Sequence, residues 1–120
     1  MTDTAKTEAD AALRLIYTTW PNAGQAEACA EALLQVGLIA CAHIQPMGRS
    51  LYQWQGKLER SDEVVMWVKT TRAKGSEAAA AIAAHHPYEV PAILALPVDL
   101  AGSWPAYLDW VRQAMTPEGR

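Results

Sequence analysis

The sequence has no phenylalanine, only two cysteines and no cluster of positive charge. No apolar run approaches the ~20 residues that a membrane-spanning helix needs, so a membrane partner is not expected. Cys29 and Cys41 lie apart, without a CxxC pair. That spacing suits neither a disulfide scaffold nor a zinc ribbon and fits reduced thiols in a cytoplasm. The opening "MTDTAKTEADAALRL" lacks the basic and apolar regions of a signal peptide, which also points to a cytoplasmic protein. The ten Lys and Arg are scattered and the formal net charge is -3. A nucleic-acid binder needs a basic face to displace counterions, so nucleic acid is not expected as a partner. There is no GxxxxGK[ST] or GxGxxG phosphate loop, and no residue pattern points to a nucleophilic triad. The expectation is a protein that is not an enzyme.

What is present is a chain of 120 residues, 51% hydrophobic, with no linker and no repeat. That length suits one core. Residues 1–11 read as a flexible polar tail and residues 12–117 as a single domain. "LRLIYTTW" (Leu13 to Trp20) is rich in β-formers and ends at Pro21. Asn22 and Gln25 have capping-box spacing, and Ala26, Cys29, Ala30, Leu33 and Leu34 then recur at helical spacing until Gly37. "LIACAHIQP" predicts a second strand from Leu38, with Leu38, Ala40, Ala42 and Ile44 on one face. A bulge is expected at Gly48 and a hairpin turn at Gln55-Gly56, with "EVVMWVKTT" (Glu63 to Thr71) as the return strand. "KGSEAAAAIAAHH" predicts a helix capped by Ser76 or a neighbour, which Pro87 stops near His86. "AILALPV" is a short strand between Pro91 and Pro97. A last helix has Ser103 as its cap, Pro105 in its first turn, and Tyr107, Leu108, Val111 and Met115 on one stripe. The order βαββαβ plus a C-terminal helix predicts an α+β, ferredoxin-like sandwich with a long β-hairpin.

Candidate chemistry gathers in "HHPYEVP" (His85 to Pro91). Adjacent histidines on a helix point about 100° apart, unlike the i,i+4 pair of a metalloprotease. They are either metal ligands, with Glu63 and Glu89 as candidate oxygen donors, or merely the favourable end of a helix dipole. Cys41 is expected in a buried strand position, as a small hydrophobe. Tyr52 and Trp54 sit near a hairpin tip that a small sandwich can hardly cover itself, so another chain is expected to cover them. Arg49, Lys57 and Lys69 are the charge partners that an anionic metabolite would use. A chain with no ligand, serving only as an adaptor, is the remaining reading.

The stretches "GLIACAHIQP", "SLYQWQGKLERSDEVVMWVKTT" and "HHPYEVPAILALPV" followed by "YLDW" resemble, in order and spacing, the CutA family of divalent-cation tolerance proteins, over about residues 13–113. The resemblance implies a ferredoxin-like subunit similar to the PII signalling proteins. It implies a homotrimer whose long hairpins complete neighbouring sheets, and a link to copper and other divalent metals. His85 and His86 fall on histidines proposed as copper ligands, and Glu63 on a carboxylate sometimes added to them. The remaining ligand of that set is a cysteine in the first strand; here the position is Thr18. Without a thiolate the imidazole and carboxylate set suits Cu(II), Zn(II) or Ni(II), weakly bound, better than Cu(I). The alternative that the resemblance carries is a PII-like signalling module with a small metabolite between subunits.

Overall fold

A computed structural model describes residues 11–119 of the chain. The expected N-terminal tail lies outside the described residues except for Ala11, whose carbonyl accepts a bond from Arg112 Nε at 3.0 Å. The order is β1 (Leu13–Trp20), α1 (Ala23–Gln35), β2 (Cys41–Trp54), β3 (Lys57–Thr71), α2 (Arg72–His85), β4 (Ile93–Pro97) and α3 (Pro105–Ala114). The sheet runs β2-β3-β1-β4 with every pair antiparallel, the ferredoxin-like α+β arrangement.

Alternation along the strands assigns the two faces. Ile16, Trp20, Met66 and Val68 turn to one side, where Ala26, Cys29 and Leu33 of α1 and Ala78 and Ile82 of α2 close the core over them. Each such large apolar side chain contributes about 1.5–3 kcal/mol on burial. On the opposite face, register rows run Cys41, Lys69, Leu15, Leu96 and then His43, Trp67, Tyr17, Leu94. Among the described residues, one end of that face is covered, where Leu108 and Val111 of α3 pack on Leu13 and Ala40. Leu94 and Leu96 stay exposed.

Helix ends follow local chemistry. The Asn22 side chain accepts the Gln25 N–H at 2.9 Å, and its amide meets Gln25 Oε1 at 3.0 Å. At the far end Gly37 takes φ 74. Its N–H bonds the Leu34 carbonyl at 3.2 Å and the Leu38 N–H bonds that of Leu33 at 3.0 Å. Glycine reaches that left-handed conformation without the Cβ clash other residues meet, and the pair of bonds satisfies two orphan carbonyls. This turn delays β2 until Cys41, so the alternation predicted from Leu38 does not hold there. Ile39 enters the main core, and Ala40 joins the cluster under α3.

Other boundaries also differ from expectation. The cap of α2 is Thr71, whose Oγ1 accepts the Lys74 N–H at 3.3 Å, rather than Ser76. The helix starts as soon as β3 ends because this threonine already supplies the acceptor. Trp104, not Ser103, is the cap of α3, and its side chain makes no capping bond. The Ser103 hydroxyl instead donates to the Asp99 carbonyl at 2.6 Å. β3 begins at Lys57, well before Glu63, making a long hairpin that stretches the subunit to 58 × 27 × 23 Å. Its tip is the expected turn, with Gln55 at φ 53 and Gly56 at φ 79. The bulge is also where it was expected: pairing slips between Gln45 and Gly48. A Cβ on Gly48 would stand 2.7 Å from the Glu63 carbonyl oxygen, so the strands approach that closely only because position 48 is glycine.

The two thiols are free. Cys41 is half-buried rather than buried, with Sγ 3.6 Å from Tyr107 Oη, because β2 presents it to the face that α3 covers. Cys29 lies in the core, and burial pushes its thiol up to about 11. The thiolate is the nucleophile, so native Cys29 should be inert to a thiol reagent at pH 8 and should react once the chain unfolds, with no reductant added. Thiol counts by absorbance before and after denaturant check this. Rapid native labelling of Cys29 on peptide mapping contradicts it.

Candidate functional site

The histidine pair is split by the end of α2. Pro87 disfavours the helical region for the residue before it, and His86 has φ -78 and ψ 137 while His85 remains helical. The two rings therefore part. His85 is exposed, and its Nδ1 donates to the Ala81 carbonyl at 2.9 Å, leaving Nε2 free. His86 is buried. Its Nε2 lies 2.7 Å from the Thr19 carbonyl, which only accepts, so Nε2 carries the proton. Its Nδ1 accepts the Tyr88 N–H at 3.1 Å. Both ring nitrogens are thus engaged, and the imidazole ties the end of β1 to the segment after α2.

Aromatic packing holds this tie. The His86 ring lies between Trp20, with centroids 4.2 Å apart, and Tyr88, at 4.8 Å. Trp20 is fully buried and its Nε1–H donates to Thr18 Oγ1 at 2.7 Å, while the Thr18 hydroxyl donates to the Met66 carbonyl at 2.9 Å. Thr18, where the resemblance places a cysteine, faces the core with its hydroxyl both donating and accepting. The Trp20 indole stands between it and His86.

Tyr88 carries the arrangement outward. Its hydroxyl donates to Glu63 Oε2 at 3.2 Å. Burial, then the Glu63 charge, raise the Tyr88 pKa, because both disfavour a phenolate there. The phenol therefore stays a donor at neutral pH. Its contribution to stability is complete below about 10, the ordinary tyrosine value, and is lost only as pH climbs through the raised one.

Glu63 and Tyr88 open on a cleft of about 660 Å³ between the hairpin and the segment Tyr88, Glu89, Val90 and Ala92. Cross-strand pairing builds its floor. Ser50 faces Ser61, Tyr52 faces Glu59 and Gly48 faces Glu63. Residues two apart share a face, so Glu59, Ser61 and Glu63 line one side, and Ser50, Tyr52 and Trp54 the other. Tyr52 Oη lies 3.2 Å from Ser61 Oγ. Among the described residues, three carboxylates, Glu59, Glu63 and Glu89, face this space, and no Lys or Arg lines it.

The sequence-predicted residues are only partly brought together. Glu63 and Glu89 line the cleft, and His86 is joined to Glu63 through Tyr88. His85 points elsewhere on the surface and is not part of the wall. Among the described residues, no three His, Cys, Asp or Glu side chains stand together as a metal cluster. The cations weighed for an anionic metabolite diverge. Arg49 pairs with Asp62 at 3.0 Å, Lys69 lies 5.4 Å over the Tyr107 ring, and Lys57 sits beside the hairpin turn. Sequence reasoning missed Glu59, Ser61 and the role of Trp20. The first two were signalled by their i, i+2, i+4 spacing with Glu63, and Trp20 by nothing local.

Known proteins agree with this architecture. The CutA1 divalent ion tolerance protein family matches residues 14–114. The chain is 39% identical over 97 residues to the human protein CutA, covering 81% of this chain and 53% of that protein. It thus spans about half the length of the human relative. It is 37% identical over 99 residues to the divalent-cation tolerance protein CutA of Thermus thermophilus, covering 82% of this chain and 94% of that one. The structure of the periplasmic divalent cation tolerance protein CutA from Archaeoglobus fulgidus superposes with a TM-score of 0.80 at 35% identity, covering 87% of this chain and 99% of that one. Family match, relatives and fold agree, so the chain belongs to the CutA family of divalent-cation tolerance proteins.

Proposed function

We propose that this CutA protein is a non-enzymatic homotrimer that binds divalent metal ions, copper or zinc, weakly and in the cytoplasm. The observation that carries the metal reading is Glu63. It is 9% exposed, borders a cleft open to solvent, and among the described residues receives one bond from a phenol and none from a cation. A buried carboxylate without a cation is costly, and a bound cation relieves that cost. His85 offers a free Nε2 from its exposed position. His86 becomes a ligand only when Nδ1 releases the Tyr88 N–H. Such a set, lacking any thiolate, suits Cu(II) or Zn(II), with water or a neighbouring subunit completing the coordination.

Trimer formation is supported by the uncovered apolar sheet face and by the exposure of Tyr52 (46%) and Trp54 (62%) on the hairpin. The cytoplasmic assignment rests on the two unpaired thiols, although a relative is described as periplasmic. No helix among the described residues is long and apolar enough to cross a membrane.

Titration calorimetry on protein free of any histidine tag tests the metal reading. Cu(II) should bind more tightly than Zn(II). Glu63→Gln and the double change His85→Ala, His86→Ala should each weaken Cu(II) binding, by about tenfold or more, the loss expected for an essential ligand or its support. Equal affinity in all three proteins defeats the metal assignment.

A further inference from the structure

Of the three side chains in the proposed metal site, the two buried ones are engaged by a single residue. The Tyr88 N–H donates to His86 Nδ1 at 3.1 Å, and the Tyr88 hydroxyl donates to Glu63 Oε2 at 3.2 Å. A backbone donor thus holds the imidazole lone pair, and a side-chain donor of the same residue holds the carboxylate. Both bonds lie within one subunit, so they stand whether or not a neighbour covers the hairpin.

In every other respect His86 is set as a ligand. Its Nε2–H donates to the Thr19 carbonyl at 2.7 Å, the outer bond that metal-ligating histidines commonly make, and this places the lone pair on Nδ1. Trp20 and Tyr88 hold the ring between them, at centroid distances of 4.2 Å and 4.8 Å. What keeps Nδ1 from a metal is the Tyr88 N–H alone. His86 and Glu63 are both buried, so water is a poor substitute for Tyr88 at either atom. Freeing either one without a new partner leaves a buried polar group unsatisfied, which is costly. A divalent cation supplies that partner. His85 differs, because its Nε2 is free on the surface and takes a metal without displacing anything.

We propose that Tyr88 is an internal latch on the metal site: its two donors occupy His86 Nδ1 and Glu63 Oε2 in the metal-free subunit, and a divalent metal binds by displacing them. The latch rests on the metal reading above and names the residue that sets the affinity of that site. Apparent affinity falls by the fraction of molecules in which the latch is open. A hydrogen bond to a charged group holds that fraction to about a tenth or less. Weak binding then follows from the latch as well as from the missing thiolate.

Zn(II) is the probe, titrated by calorimetry into tag-free wild type and Tyr88→Phe. Phenylalanine keeps the ring beside His86 and keeps the backbone N–H, and it removes only the bond to Glu63. Zn(II) affinity should rise by about tenfold. The rise should vanish when both proteins also carry Glu63→Gln, because the phenol then latches no charge. Hydrogen exchange at the Tyr88 amide, followed by NMR, reads the other half of the latch. A bound ligand stabilises the folded state and so slows exchange as a rule. At Tyr88, saturating Zn(II) should instead quicken it, since that N–H has given up His86 Nδ1. A phenol that only stabilises the fold moves neither reading in these directions. Absence of Zn(II) binding in both proteins overturns the metal reading and the latch together. Three results overturn the latch alone: wild-type binding that Tyr88→Phe leaves equal or weaker, a gain that survives Glu63→Gln, or a Tyr88 amide that exchanges no faster with Zn(II) bound.

Discussion

Trp20→Ala should destabilise the subunit by about 3–5 kcal/mol, the range for truncating a large buried aromatic side chain. Trp20 is fully buried between the end of β1 and the helices that cover the core. Its removal leaves a cavity in the main core. Two further losses add to the transfer term. Thr18 Oγ1 loses its donor, the Trp20 indole N–H at 2.7 Å. The His86 ring loses the face on which it packs at 4.2 Å, and with it the restraint that keeps both of its nitrogens bonded. The variant should therefore also loosen the tie between β1 and Tyr88, so that the Glu63 bond weakens. Denaturant unfolding followed by circular dichroism gives the free energy. A loss below about 1 kcal/mol, typical of an average substitution, shows that the site does not depend on this indole.

Much of the fold was legible because its determinants are local. Asn22, Gly37, Gly48 and the Gln55-Gly56 pair each act within a few residues, through a cap, a left-handed turn, a bulge and a tight hairpin. Where two local solutions competed, the sequence was ambiguous. Thr71 and Ser76 both cap helices well, and only the end of β3 decides between them. The faces near Leu38 were misassigned because the turn after α1 postpones the strand, and alternation has meaning only once the backbone is extended.

The site was legible in parts and not as a whole. "HHPYEVP" marked the right segment, and Pro87 foretold where the helix stops. That His86 turns inward while His85 stays out depends on the backbone change at one residue, and on Trp20, 66 positions earlier, providing a surface for the ring. The cleft depends on register. Glu59, Ser61 and Glu63 become one wall only when β2 pairs with the bulge in place, so that Gly48 rather than Met47 opposes Glu63. A pattern of period two was visible on that stretch, but nothing nearby in sequence indicated that its outward face would meet Tyr88.

Leu94→Asp should convert a particle of three times 13.1 kDa into one of 13.1 kDa at micromolar concentration. Leu94 lies on the sheet face opposite α1 and α2, in the row with Tyr17, Trp67 and His43. It is 62% exposed in the single subunit, so there an aspartate meets water and should alter stability by no more than about 0.5 kcal/mol. In a trimer that covers this face the same carboxylate is buried, at several kcal/mol per ion. Rotational symmetry repeats the loss in all three subunits, more than a standard interface can absorb. The β4 edge lies outside the wall of the cleft, so the change separates assembly from ligand contacts. Mass from light scattering and a melting curve of the dissociated variant should therefore move in different ways, the first falling to a third and the second reporting a folded subunit. Two outcomes sink the assembly: a wild-type protein of 13.1 kDa, or a Leu94→Asp trimer as firm as the parent.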